Sequence, residues 1–154
     1  MIRRANSQDA PWISAIWNAV INTSLITFTT APKTEEEIAQ MIAGRAVLVL
    51  ENAGGFATYG PFRTGPGYAA TVEHTVMLAQ QARGQGQGRA LLTALMDVAC
   101  DDGKHAMIAG ISSVNPQAVA FHAALGFQTV AQMPEVGRKN DQWLDLILMQ
   151  KLLG

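Results

Sequence analysis

Within residues 71–92, TVEHTVMLAQQARGQGQGRALL, a single acid stands inside a β-branched run, and three glycines follow at alternate positions. The acid, Glu73, shares one strand face with Thr71, Thr75 and Met77. A carboxylate is depleted in such a strand, so its presence asks for a reason. It is either a solvent-facing side chain on an edge or a base that takes a proton from a bound acceptor. The strand reads as central, which favours the base. Further on, Gly84, Gly86 and Gly88 remove side chains where a helix begins, so backbone N–H groups can close around an anion such as a pyrophosphate. The helix dipole adds about 0.3–1 kcal/mol for a negative charge at an exposed site. Gly88 is followed by Arg89 and Ala90, not by the Lys-Ser/Thr of a nucleotide-hydrolase phosphate loop. The G-x-G-x-G spacing also departs from the dinucleotide fingerprint. Arg83 and Arg89 flank the glycines, either as added charge or as solvated side chains.

The remaining chemically capable side chains are few. His74 alternates onto the opposite face from Glu73 with Val72, Val76 and Leu78, the setting of a core histidine. His105 begins a strand and shows no partner. His122 lies in a helix between Val119 and Leu125, where it can pack or act as an acid. The single cysteine, Cys100, excludes an intrachain disulfide framework and a cysteine-rich metal site, and its helical position beside Val98 and Ala99 reads as a buried structural thiol.

These residues need a scaffold, and 154 residues supply one domain with a real core. With 49% hydrophobic residues, 15% charged and a net charge of −1, the chain lacks the basic excess that a nucleic acid or an anionic membrane would select. No apolar run reaches the ~18 residues of a membrane span, and MIRRANSQD lacks the apolar core of a signal peptide. The expected location is the cytoplasm.

Ile2 marks a short edge strand. Ser7 reads as the N-cap of a helix carrying Ile13, Ile16, Trp17, Val20 and Ile21 at helical spacing. Residues 22–33, NTSLITFTTAPK, read as a loop whose Leu25, Ile26 and Phe28 cover the core or line a pocket. Thr34 and Glu37 form a capping-box signature for a second helix ending at Gly44. Strands follow at 46–51, 56–62 and from Tyr68 into the central run. A long helix then presents Leu91, Leu92, Leu95, Val98 and Ala99, and residues 105–111 form another strand. Asn115-Pro116 opens a helix that Gly126 closes. Two last strands, 128–133 and 143–152, are joined by the expected loop PEVGRKNDQ. The order β-α-α-β-β-β-α-β-α-β-β implies an α/β (α+β) domain, a mixed sheet flanked by helices.

The R-x-x-G-x-G of Arg83, Gly86 and Gly88 after a strand resembles the acetyl-CoA pyrophosphate loop of the GNAT superfamily of N-acyltransferases. Residues 115–127, NPQAVAFHAALGF, resemble that family's second signature. With TVEHTV and MPEVGRKNDQWLDL, the chain is similar to the phosphinothricin and methionine sulfoximine N-acetyltransferase subgroup. The resemblance implies a GNAT fold over residues 1–154, acetyl-CoA as co-substrate, a small-molecule amine as acceptor and a homodimer that uses the C-terminal strands. The residues alone leave open a protein N-terminus or polyamine as acceptor, a non-catalytic acyl-CoA-binding module, and a monomer with a buried last strand. It implies Glu73 as the catalytic base and places His122 where the wider family has a tyrosine near the CoA sulfur. Backbone of Val76, Met77 and Leu78 would hold the pantetheine arm and the thioester carbonyl. Residues Arg83, Gly84, Gln85, Gly86, Gln87, Gly88 and Arg89 would hold the pyrophosphate. Asn115 would bond to the pantetheine arm while capping its helix. Phe28, Arg63, Tyr68, Glu73 and the 137–143 loop with Lys139 would surround the acceptor. Two departures weaken a phosphinate acceptor: Thr29 replaces the subgroup's arginine after Phe28, and Asn140-Asp141 follow Lys139. Arg63 and Lys139 remain as anion partners.

Overall fold

The computed structural model describes residues 1–154. Its elements are β1 (Ile2–Arg4), α1 (Ala10–Thr23), α2 (Glu35–Gly44), β2 (Val47–Leu50), β3 (Gly55–Pro61), β4 (Thr71–Leu78), α3 (Gln87–Asp101), β5 (Ala106–Ser112), α4 (Pro116–Ala124), β6 (Gln128–Lys139) and β7 (Gln142–Leu152). The strands form one sheet in the order β1-β2-β3-β4-β5-β7-β6. Every neighbouring pair is antiparallel except β4 with β5. That parallel step needs a crossover, which α3 provides.

Alternation in the central strands divides the core between the two faces of the sheet. Leu48, Leu50, Ala57, Val72 and Met107 pack with Leu91, Leu92, Leu95 and Ala99 of α3. On the other face Val47, Val49 and Phe56 meet Ile13 of α1 and Ile38 of α2. This two-sided burial explains why 46–50 is continuously apolar and not alternating. Leu95 is fully buried, so truncating it to alanine removes a contact worth about 2–5 kcal/mol. No helix is long and apolar enough to cross a membrane.

Two boundaries differ from the sequence expectation. Ser7 does not cap α1: Asn6 caps a short 3-10 turn over Ser7–Asp9, and α1 starts at Ala10. The reason is Asp9, whose carboxylate takes the Asn6 N–H and a two-pronged contact from Arg3 at 2.8 and 2.9 Å. The expected loop after Met133 is mostly strand. β6 runs on to Lys139 with irregular register between Met133 and Gly137, and it turns into β7 through Asn140 and Asp141 at φ 51° and 60°. Pro134 and Gly137 suggested a loop, but an edge strand absorbs both as a bulge. Cys100, expected as a buried thiol, is left exposed by the fold.

Candidate active site

β4 and β5 pair only through Thr71–Glu73 and Ala106–Ile108, after which they diverge. Beyond that point β4 remains bonded to β3 and β5 to β7. The hydrogen bonds Phe62 N to Thr71 O and Ala79 N to Gly54 O fix the alternation along β4. Residues 71, 73, 75, 77 and 79 turn their polar backbone to β3, so Val76 and Leu78 turn theirs into the opening beside β5. Met77 departs from the expected trio: its backbone pairs with Phe56, and its side chain packs beneath α1 and α2.

At the end of this opening lies the glycine loop. Gly84 and Gly86 take φ of 77° and 75°, the left-handed region, and a Cβ on either would meet no protein atom. Backbone conformation, not crowding, therefore requires glycine at both positions. Gly88 is buried in the first turn of α3, against Leu78 and Phe121. The N–H groups of Gly84, Gln85, Gly86, Gln87, Gly88 and Arg89 donate to no backbone acceptor, and Arg83 and Arg89 stand exposed beside them. Successive free N–H groups at a helix start form a concave anion site. The donor set fits a pyrophosphate.

Glu73 occupies the point where the strands separate. It lines a cavity of about 290 Å³ with Trp17, Ile26, Thr27, Thr75 and Ser112 on its walls. The residue is exposed, yet burial around its carboxyl raises the pKa above the ordinary value. The two observations agree if its open surface faces the confined cavity rather than bulk water. No protein donor satisfies this carboxylate among the side-chain hydrogen bonds, which keeps it available to a ligand. Gly110, on the same face of β5, makes its position possible: a Cβ there would lie 2.8 Å from Glu73 Oε2. Sequence reading missed Gly110 because only the β4–β5 register brings the two together.

A strand opening, a free N–H cradle and a poised acid agree with the comparisons. The family model of the acetyltransferase (GNAT) domain matches residues 2–148. The chain belongs to the GNAT acetyltransferase family. It is 42% identical to an L-amino acid N-acyltransferase of Escherichia coli, covering 97% of this chain and 91% of that protein. It is 41% identical to an L-methionine sulfoximine/L-methionine sulfone acetyltransferase of Salmonella typhimurium, over 97% and 92%. An acetyltransferase structure from Salmonella typhimurium with its cofactor acetyl-CoA superimposes with a TM-score of 0.95 at 36% identity, covering 100% of this chain and 94% of that one.

In this GNAT domain His74 and His122, each read singly from the sequence, form a pair. His74 and His122 approach at 3.1 Å between their Nε2 atoms, and both are buried. Ala118 O, an obligatory acceptor 2.7 Å from His122 Nδ1, fixes the proton on that nitrogen. In the neutral ring, His122 Nε2 is then the acceptor and His74 Nε2–H the donor. His74 Nδ1 is left as a buried acceptor without a partner. Burial, with His122 adding to it, pushes the His74 pKa down to about 3, and burial also lowers that of His122. His122 lines the cavity, but both its nitrogens are engaged. Asn115 caps α4 by accepting from Ala118 N at 3.3 Å and also lines the cavity.

The acceptor residues expected around Glu73 are not all brought there. Arg63 and Tyr68 line a separate cavity of about 890 Å³ with Arg45, Tyr59, Asp102 and Lys104, and the Arg63 guanidinium stacks 5.5 Å from the Tyr68 ring. The β3–β4 turn carries them past the end of the sheet. Asp102 there accepts the Tyr59 hydroxyl. Lys139 is buried with its ammonium on backbone oxygens, which removes it as a free anion partner. Phe28 packs on Gly137 behind the cavity wall, while its neighbours Ile26 and Thr27 form that wall.

Proposed function

We propose that this chain transfers the acetyl group of acetyl-CoA to the α-amino group of a small amino acid or analogue by direct attack in a ternary complex. The observation that carries the reading is Glu73, an unpartnered, desolvated carboxylate facing a small cavity where the backbone of β4 is free. Acetyl-CoA supplies the thioester. Glu73 accepts the proton of the incoming ammonium, since only the free amine can attack. The Val76 or Leu78 N–H donates to the carbonyl oxygen as negative charge gathers there. As the C–N bond forms and the C–S bond breaks, CoA leaves as the thiolate and is protonated by the proton the new amide nitrogen sheds, giving the free thiol, while the glycine loop keeps the pyrophosphate anchored. His122 serves as a packed neighbour: its Nδ1–H is fixed on Ala118 O within α4, and its Nε2 contact with His74 ties α4 to β4.

The cavity also bears on the acceptor. At about 290 Å³ it is at the small end of ligand pockets, and no Lys or Arg lines it. A second anion on the acceptor side chain would meet no cation there. This supports a neutral sulfoximine or sulfone, as in the name of the Salmonella relative, over an anionic phosphinate. The same reading places the enzyme in the cytoplasm as a homodimer. Support for self-association comes from Val130, Val136 and Trp143, 54%, 51% and 59% exposed on β6 and β7.

Free-thiol release from acetyl-CoA tests the proposal against methionine sulfoximine, methionine sulfone, phosphinothricin, common amino acids, a polyamine and an N-terminal peptide. The sulfoximine and sulfone should turn over best and phosphinothricin poorly. Transfer to the peptide or polyamine alone would overturn the amino-acid assignment.

A further inference from the structure

Lys139 ends β6 and is 5% exposed. Its Nζ donates to Ile21 O at 2.8 Å, Thr27 O at 2.9 Å and Thr27 Oγ1 at 3.3 Å. An ammonium has three hydrogens, so this one is fully used. No carboxylate accompanies it: the protein's ion pairs are Arg3 with Asp9 and Arg138 with Asp141. Ile21 belongs to the last turn of α1, where carbonyls lack intrahelical partners and the helix dipole is negative. The buried charge is thus balanced by a helix end and by the loop that follows it.

Two residues earlier on the same face of β6, Gly137 receives Phe28. A Cβ at Gly137 would lie 2.4–2.8 Å from atoms of that ring. Consecutive loop residues, Thr27 and Phe28, are therefore held by alternate residues of one strand. Residues 24–33 make no backbone–backbone hydrogen bond, and side-chain bonds tie only the ends of the loop to α1, Ser24 to Val20 O and Lys33 to Ser14 and Asn18. Yet Ile26 and Thr27 form part of the cavity wall facing Glu73.

We propose that Lys139 and Gly137 clamp the α1–α2 loop and thereby set the shape and amine selectivity of the acceptor cavity without touching its contents. They are positioning residues, and the inference rests on the acceptor reading of that cavity. Lys139→Met removes the donors but keeps the apolar stem, and Gly137→Ala displaces the Phe28 ring while leaving the ammonium in place. Lys139→Met should raise the amine KM by about ten-fold through the lost charged hydrogen bonds, Gly137→Ala should raise it through the displaced ring, and the acetyl-CoA KM should stay within about two-fold in both. The kcat/KM ratio between methionine sulfone and a bulkier amino acid should shrink. Chymotrypsin cleavage after Leu25 or Phe28, mapped by mass spectrometry, reads the clamp without turnover: it should be faster in both variants than in wild type. Unchanged amine KM and selectivity in either folded variant would overturn the proposal, as would unchanged cleavage in the loop. Should Lys139→Met fail to fold, Gly137→Ala decides. A wild type silent towards every amine would defeat the acceptor reading, and the cleavage rates would still judge the clamp.

Discussion

Glu73 and His74 are adjacent on β4, face opposite sides of the sheet and titrate in opposite senses. Burial raises the Glu73 pKa, so its charged form is disfavoured in the folded protein. That effect favours folding at low pH, where the carboxyl is protonated, and is lost as pH rises through the folded pKa. Glu73→Gln should therefore leave the melting temperature equal or higher, as measured by calorimetry at pH 7. His74 is the reverse. Its folded pKa of about 3 lies below the ordinary histidine value of 6.5, so the unfolded chain binds the proton more readily. Stability must fall as pH drops from 6.5 towards 3, by roughly 1.4 kcal/mol per unit from this group. Urea midpoints at pH 7 and 5 should show the loss, and His74→Leu should reduce it; an unchanged slope would remove His74 as the source. Glu73 was legible because an acid breaks the pattern of a β-branched strand. The histidine pair was not, because its partners lie 48 residues apart and meet only when α4 packs on β4.

The elements are where the sequence was most readable. Apolar spacing marked α1 and α3, glycines and prolines marked the turns, and the resulting order of strands and helices is the one observed. The divergence of β4 from β5 was beyond local pattern, since pairing register is a long-range property. So was the full length of β6, where Pro134 and Gly137 imitate a loop. Two predictions belong to this scale. Gly86→Val must force a β-branched residue into left-handed backbone, costing roughly 1–2 kcal/mol, and should abolish acetyl-CoA binding by calorimetry. Gly110→Ala places a methyl against Glu73 Oε2 and should lower kcat with acetyl-CoA affinity intact. A fully active Gly110→Ala would show that the carboxylate position is not critical.

At the scale of the whole molecule, one strand divergence joins two half-sites. The N–H cradle lies on the α3 side, and the acceptor cavity reaches through to the α1–α2 side. Glu73 stands at the junction, and the larger Arg63–Tyr68 cavity does not include it. Ligand binding and chemistry should therefore separate cleanly by mutation. Acetyl-CoA at 100 times its Kd should stabilise the fold by about 2.7 kcal/mol. That thermal shift should persist in Glu73→Gln and vanish in Gly86→Val. The most direct test is the turnover of Glu73→Gln beside wild type, with saturating acetyl-CoA and the best amine acceptor. A base of this kind contributes about 10²–10⁴-fold, so kcat should fall at least a hundred-fold while the acetyl-CoA Kd is unchanged. Wild-type turnover in a folded, acetyl-CoA-binding Glu73→Gln would contradict the assignment of Glu73 as the base.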